Sequence, residues 1–212
     1  METTSRDDRI KWDRFRQGDD NVLSAIYAEY AGSLYLYGQK LTMNRAVIED
    51  ALHDLFIDLI RNRKGIGETG NIHFYLLKAF RRKLIRLLKR ESRYGDGQIP
   101  DNIFDIRYSA EQNMIAEEDR NQTTRDLALA IEKLSPRQKE AIYLRFQKEL
   151  DYPEVADILG MGVEAARNLI YRAIKSLKEA LQPTGEGIIL LTVLKKIIFC
   201  IKKIRISDDV FH

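Results

Sequence analysis

The spacing of apolar residues constrains the fold of this chain more than any other feature. Apolar residues recur at intervals of three and four along most of the sequence, which is the period of an amphipathic α-helix, and no stretch alternates as a strand would. The 212 residues include only 4 prolines and 12 glycines, so few positions interrupt such helices. The sequence therefore predicts an all-α protein, with two small helical domains joined by a linker and a helix-turn-helix in the second domain.

Composition sets limits on the location and partners of the chain. Lys and Arg number 35 against 32 Asp and Glu, so only the distribution of charge can indicate a nucleic-acid partner. The single cysteine, Cys200, excludes a disulfide framework and suits a reducing compartment. The start of the chain, METTSRDDRIKWDRF, offers no signal-peptide core, and the apolar runs 188–194 and 197–201 are far shorter than the roughly 20 residues of a membrane span. We therefore expect a cytoplasmic protein.

The first predicted domain, residues 1–93, contains three amphipathic helices. Their expected ranges are Asn21–Leu41, Arg45–Arg61 and Ile72–Glu91, with Asn44 as the N-cap of the second. The outer face of the second helix is acidic and indicates a protein-docking or plainly solvated surface; it carries Glu49, Asp50, Asp54 and Asp58.

The third helix is strongly basic. Glu91 is the only acid between Lys78 and Arg93, a stretch that includes Lys78, Arg81, Arg82, Lys83, Arg86, Lys89, Arg90 and Arg93. Such a concentration of charge repels itself unless a polyanion is near, so it predicts a surface that follows nucleic-acid phosphates. Phe74, Tyr75 and Phe80 could stack on unpaired bases, but packing in the core is the better interpretation of these rings.

An acidic segment rich in glycine and polar residues, 94–122, is the predicted linker, and a second domain is expected at 123–182. Ser135-Pro136-Arg137-Gln138 has the pattern of a capping box, and Asp151 with Glu154 repeats it. A short helix over Tyr152–Leu159, the turn 160–162 and a longer helix over Val163–Leu181 have the proportions of a helix-turn-helix.

The longer helix is amphipathic, and its apolar side is predicted to carry Val163, Ala166, Ile170, Ala173, Ile174, Leu177 and Leu181. Its polar residues belong to types that contact base edges and phosphates in the major groove: Glu164, Arg167, Asn168, Tyr171, Arg172 and Lys175. A solvated surface helix would show a similar face, but the tight turn and the capped helix before it favour DNA binding.

Nothing in the sequence indicates catalysis. His53, His73 and His212 share no metal-ligand spacing, and the acidic face lacks the second set of ligands that metal chemistry needs. No nucleophile elbow and no glycine-rich phosphate loop is present. We expect no enzyme activity, no metal and no cofactor.

Four segments together resemble the extracytoplasmic-function (ECF) sigma factors of bacterial RNA polymerase, over about residues 15–182. They are EDALHDLFIDLIRNR, YLLKAFRRKLIRLLKRE, LSPRQKEAIYLRF and YPEVADILGMGVEAARNLIYRAIKSL. The resemblance implies that the acidic helix, with Asp50 and Asp54, docks on core RNA polymerase. It also implies that the basic helix melts the −10 promoter element, that the loop Gly65–Asn71 captures an extruded base, and that the second domain reads the −35 element.

Some positions depart from the family pattern. Arg82 and Arg86 replace the familiar Asn and Asp of the melting helix, and Gly162 stands where a capping Ser or Thr is common. The resemblance therefore implies core polymerase and promoter DNA as partners, with an anti-sigma factor as a further candidate, but it does not give the promoter sequence.

The tail 183–212 falls outside the family core. Its apolar side faces away from the pairs Lys195–Lys202 and Lys196–Lys203, and protein packing is favoured over contact with an anionic membrane. Any membrane contact is expected through a regulator or, less favoured, through this tail. Two other functions stay open: a stand-alone helix-turn-helix regulator, normally a dimer, and a helical scaffold whose tail binds a membrane or a partner.

Overall fold

The computed structural model describes residues 2–94, 104–105 and 129–180. Helices dominate these residues and none of them forms a strand, which confirms the all-α prediction. The chain divides into two compact units, Met1–Ile103 and Phe104–His212. The domain boundaries drawn from the sequence stay a prediction, and the tail 183–212 lies outside the described residues.

Among residues 2–94, four helices build the first unit. They are α1 (Glu2–Gln17), α2 (Asp20–Gln39), α3 (Arg45–Asn62) and α4 (Ile72–Tyr94). The last three lie close to the ranges predicted from the sequence, whereas α1 was not anticipated.

Side-chain caps begin α2 and α3. The Asp19 carboxylate accepts the Asn21 N–H at 3.1 Å, and the Asn44 side chain accepts the Val47 N–H at 3.4 Å, as the sequence predicted for Asn44. Arg14 donates to the same Asp19 carboxylate at 2.6 Å, and this hydrogen bond lowers the pKa of Asp19. These bonds satisfy N–H groups that a helix start would otherwise leave unpaired.

The core of the first unit lies where α2, α3 and α4 meet, and α1 closes one side of it. Among its fully buried side chains are Trp12, Phe15, Ile26, Leu34, Tyr37, Ile48, Leu55, Leu76, Leu77 and Phe80. Gly38 permits the close approach of α2, since a Cβ there would lie 2.9 Å from Cγ2 of Ile48 and 3.1 Å from Cζ of Phe80.

The second unit contains α5 (Pro136–Ile142), α6 (Tyr152–Leu159) and α7 (Val163–Ala180), and α5 continues as a π-helical turn over Tyr143–Gln147. Both predicted capping boxes are present, at Ser135 with Gln138 and at Asp151 with Glu154. The core is formed chiefly by Ile142, Leu144, Val155, Ala156, Ala166, Ile170, Ala173 and Leu177.

Two residues of the predicted linker sequence pack in this second unit. Phe104 is 1% exposed, and its ring centroid lies 5.4 Å from that of Tyr143. Asp105 accepts a hydrogen bond from Nζ of Lys139 at 3.1 Å, which gives that largely buried ammonium a charged partner. The compact second unit therefore includes side chains that precede the helices by a long stretch of sequence.

Candidate nucleic-acid interface

The helix-turn-helix of the second unit has well-defined ends. Asp151 accepts the Glu154 N–H at 2.8 Å, and Glu154 accepts the Asp151 N–H at 2.9 Å, so α6 begins with two reciprocal bonds. Gly160 ends α6 in the left-handed conformation, with φ of 63°, a conformation that glycine adopts without strain. The Gly162 carbonyl accepts the Ala166 N–H at 3.0 Å and so begins the hydrogen-bond pattern of α7. The turn is therefore short and fixed at both ends.

The polar face of α7 is open to solvent. All of the residues assigned to DNA contact on this helix are exposed: Glu164, Arg167, Asn168, Tyr171, Arg172 and Lys175. Tyr171 is 66% exposed although it is a large aromatic residue. On the opposite side Ala166, Ile170 and Ala173 pack into the core, so one face of the helix is buried and the other is exposed to solvent.

Hydrogen bonds orient several side chains on that face. Arg167 pairs with Glu164 at 3.0 Å, and Nε of Arg172 donates to the Asn168 carbonyl at 3.2 Å. Lys175 lies 3.7 Å from Glu179. These exposed contacts contribute little to stability, but they restrict the positions of the Arg167 and Arg172 guanidinium groups.

An aromatic residue that sequence reasoning did not single out supports this face. The Tyr152 ring lies 5.1 Å from the Arg145 guanidinium and 5.6 Å from that of Arg167. Arg145 also donates to the Leu150 carbonyl at 3.0 Å, next to the cap of α6. Tyr152 therefore connects the π-helical turn, α6 and α7 through two cation–π contacts. The only sequence signal was an aromatic residue directly after a capping Asp.

The basic helix α4 presents only part of its charge to solvent. Arg82, Arg86, Lys89 and Arg90 are exposed, whereas Lys78 and Arg81 are half-buried. Lys83, which the sequence counted as part of the basic surface, is 17% exposed and pairs with Asp58 of α3 at 2.5 Å. The exposed basic face is therefore narrower than the sequence suggested, and it lies towards the C-terminal half of the helix.

The aromatic residues at the start of α4 divide between two environments. Phe80 is fully buried, as the core interpretation predicted, while Phe74 and Tyr75 are half-buried. Burial raises the pKa of Tyr75, whose ring centroid lies 4.8 Å from that of Trp12. Nζ of Lys78 lies 6.0 Å from the centre of the Phe74 ring.

The acidic face of α3 is exposed at each assigned position: Glu49, Asp50, Asp54 and Asp58. Glu49 pairs with Arg45 of the same helix at 2.7 Å, and Asp58 pairs with Lys83, so these two acids already have cationic partners within the unit. Within the described ranges, no group of three or more His, Cys, Asp or Glu side chains is arranged to hold a metal ion. No helix among those residues has the length and apolar character to cross a bilayer.

The unanticipated helix α1 contacts the segment between α3 and α4. Nε1 of Trp12 donates to the Gly67 carbonyl at 2.9 Å, and the buried Asp8 carboxylate accepts the Ile72 N–H at 2.9 Å. Asn71 adds a cap by accepting the Phe74 N–H at 2.9 Å. The glycine-rich loop and the first turn of α4 are thus held by side chains from the start of the chain.

Comparison with known proteins finds similarity to bacterial sigma factors. Residues 124–177 match the family model for Sigma-70, region 4, a range that contains α5, α6 and most of α7. The chain is 24% identical over 172 residues to the ECF RNA polymerase sigma factor BldN of Streptomyces coelicolor, covering 80% of this chain and 64% of that protein. It is 26% identical over 170 residues to the RNA polymerase sigma factor CarQ of Myxococcus xanthus, covering 80% and 94%.

A solved structure supports the fold. The structure of CnrH in complex with the cytosolic domain of CnrY matches with a TM-score of 0.53 at 19% identity, over 82% of this chain and 96% of that one. The architecture thus defines a two-unit helical protein whose second unit carries a helix-turn-helix. The region 4 match lies in this second unit, and the curated relatives show that the chain is similar over about four fifths of its length to RNA polymerase sigma factors, one of them an ECF sigma factor.

Proposed function

We propose that this protein binds core RNA polymerase as a sigma factor and directs transcription initiation at specific promoters, without catalysing a reaction itself. The observation that carries the proposal is the exposed polar face of α7 within a segment that matches Sigma-70, region 4. In this role α7 reads the −35 element from the major groove, where Arg and Asn side chains can bond base edges. The protein acts in the cytoplasm, where its polymerase and promoter partners are.

The first unit supplies a second DNA-binding surface on α4 and a polymerase-docking surface on α3. The exposed part of α4 contacts the −10 element through its basic side chains, in particular Arg82, Arg86, Lys89 and Arg90, with Lys78 and Arg81 at its edge. The acidic face of α3 docks on polymerase. Asp50 and Asp54 are the best candidates there, because Glu49 and Asp58 already form ion pairs within the unit. An anti-sigma factor that covers one of these surfaces is a further proposed partner.

Run-off transcription tests the function directly. Core RNA polymerase from the source organism is incubated with DNA from upstream of the gene for this protein, with and without the protein. A transcript that depends on the protein is the expected result, and it would also locate the promoter. If the protein failed to bind core polymerase, the sigma assignment would be wrong, and a dimer that binds duplex DNA alone would indicate a stand-alone regulator.

Variants of exposed residues separate the two surfaces. Arg172→Ala and Lys175→Ala should weaken promoter use while polymerase binding stays normal, because both residues lie on the exposed face of α7. Asp54→Ala on α3 should weaken polymerase binding and leave the contact of α7 with DNA unchanged. Binding to core polymerase and to a promoter fragment is measured for each variant, and the same defect in all three would indicate general misfolding.

A further inference from the structure

Helix α1 has a place in the first unit that the sequence did not suggest. Its residues Asp8, Trp12 and Phe15 are buried, although the helix is rich in charged residues. Two of these three side chains have polar groups, and both reach the same region, namely the loop between α3 and α4 and the first turn of α4. That region lies at the start of α4, and the exposed basic part of the same helix begins further along, at Arg82.

Local hydrogen bonds hold both ends of the loop. Next to α3, the Gly65 and Ile66 N–H groups donate to the Asn62 carbonyl at 2.8 and 3.1 Å. Next to α4, the Asn71 N–H donates to the Thr69 hydroxyl at 3.1 Å. In the middle of the loop, the Gly67 carbonyl accepts a hydrogen bond from Nε1 of Trp12. This bond therefore comes from a residue 55 positions earlier in the chain.

The middle of the loop also has open space beside it. A Cβ at Gly67 would have no heavy atom within 4 Å, and the φ of this glycine is not in the left-handed region. Neither packing nor backbone conformation therefore requires glycine at this position. The free space beside Gly67 would leave room for the extruded base that, by resemblance to ECF sigma factors, this loop is expected to capture.

We propose that Trp12 is a positioning residue for promoter opening, with Asp8 in a supporting role. Trp12 holds the Gly67 carbonyl through its indole N–H, and Asp8 holds the Ile72 N–H, so that loop 65–71 and the start of α4 keep one geometry when the DNA strands separate. The bound geometry is then present before DNA arrives, and less ordering entropy is lost on binding. This inference rests on the proposed sigma function.

The test compares Trp12→Phe with wild-type holoenzyme on two templates. One is the duplex promoter found by run-off transcription, and the other is the same promoter with the −10 region already unpaired by mismatches. Loss of one hydrogen bond should slow promoter opening roughly three- to tenfold on the duplex. The defect should be smaller on the unpaired template, and binding to core polymerase should not change. Opening is followed by the fluorescence of a base analogue placed in the −10 strand.

Phe15→Leu is the matched control. Phe15 lies on the same helix and is equally buried, and its ring centroid lies 5.3 Å from that of Trp12, but its side chain has no N–H or O–H to donate to the loop. Phe15→Leu should therefore lower the stability of the first unit, and any change in the rate of promoter opening should be the same on both templates. The proposal would be overturned if Trp12→Phe opened the duplex promoter at the wild-type rate. It would also be overturned if the opening rate fell equally on both templates. Failure of the wild-type protein on every template would instead refute the sigma function.

A second pair of variants decides the matter if Trp12→Phe does not fold. Asp8→Asn keeps an oxygen that can accept the Ile72 N–H, whereas Asp8→Ala does not. Asp8→Ala should open the duplex promoter more slowly, and Asp8→Asn should restore most of the rate. Hydrogen exchange on the free proteins should show faster exchange at residues 65–75 in Asp8→Ala only. Equal behaviour of the two variants in both measurements would remove Asp8 from this role.

Discussion

Gly38 and Gly32 lie on the same helix but have opposite surroundings. Gly38 is buried where α2 meets α3 and α4, and an added Cβ would lie 2.9 Å from Ile48 and 3.1 Å from Phe80. Gly32 is exposed, and an added Cβ would have no heavy atom within 4 Å. The same substitution therefore tests packing at one position and helix propensity at the other.

Gly38→Ala should destabilise the first unit. Overpacking costs about 1–3 kcal/mol and exceeds the gain of about 0.5–1 kcal/mol from removing a helical glycine, so we expect a net loss of about 1–2 kcal/mol. Gly32→Ala should raise stability, because only the propensity gain applies. The chain has one tryptophan, Trp12, so urea unfolding followed by its fluorescence reports on this unit. If the two variants had equal midpoints of urea unfolding, the close contact of α2 with α3 and α4 at Gly38 would be wrong.

Tyr152 should act on DNA through its arginine neighbours. Replacement by Phe keeps the aromatic face for Arg145 and Arg167, while replacement by Leu removes it. A cation–π contact contributes about 0.5–2 kcal/mol, so Tyr152→Leu should weaken −35 binding between about twofold and thirtyfold. Tyr152→Phe should stay close to wild type.

A double-mutant cycle shows whether the effect passes through Arg167. If Tyr152 orients that guanidinium, Tyr152→Leu should have little further effect on binding in an Arg167→Ala background. Promoter affinity is measured at one fixed salt concentration. Fully additive losses would mean that Tyr152 supports the fold and not the arginine.

Among the elements, those with strong local signals could be predicted from the sequence. Helices α3 and α6 begin at side-chain caps that the sequence showed, at Asn44 and Asp151. Helix α1 was missed because its buried face combines an aspartate with two aromatic residues in a charged segment, and the Asp8 bond to Ile72 is a tertiary contact. The π-helical turn at Tyr143–Gln147 likewise has no pattern that separates it from an α-helix.

The candidate surfaces were also predictable to different extents, because some depend on local sequence and others on tertiary contacts. The polar face of α7 followed from periodicity alone, since one helix side is buried and the other exposed. On α4 the position of Lys83 depends on Asp58 of the neighbouring helix, which helical spacing does not reveal. The Tyr152 contacts bring together residues from three elements, so only the folded chain shows them.

Some basic residues on α4 are exposed and one is paired with an acid, and this difference predicts how promoter binding depends on salt concentration. Arg82→Ala and Arg86→Ala should each weaken binding of the holoenzyme to promoter DNA, and each should reduce the slope of log affinity against log salt by about 0.7–0.9 if the residue contacts one phosphate. Lys83→Ala is the control, because Lys83 is paired with Asp58 and largely buried. Its removal should lower stability with little effect on the slope. Affinity is measured between about 50 and 200 mM salt, and equal slopes for all variants would exclude the arginines as phosphate contacts.

At the scale of the whole molecule, the second unit depends on residues that the sequence places in the linker. Phe104 is as buried as the core of α5–α7 and contacts Tyr143, and Asp105 neutralises the largely buried Lys139. A fragment cut at the predicted boundary, 123–182, would lack both contacts. In sequence, only residues 95–103 lie between the end of α4 and Phe104, whereas composition assigned the whole of 94–122 to the linker.

Phe104→Ala should therefore destabilise the second unit by about 3–5 kcal/mol, the usual cost of removing a buried phenylalanine ring. Asp105→Asn should have a smaller effect, because it keeps an oxygen for Lys139 and removes only the charge. Unfolding of fragments 104–182 and 123–182 is followed by circular dichroism, and the shorter fragment should resemble Phe104→Ala in stability. If the two fragments were equally stable, Phe104 would be dispensable and the whole segment 94–122 would act as a linker, as its composition predicted.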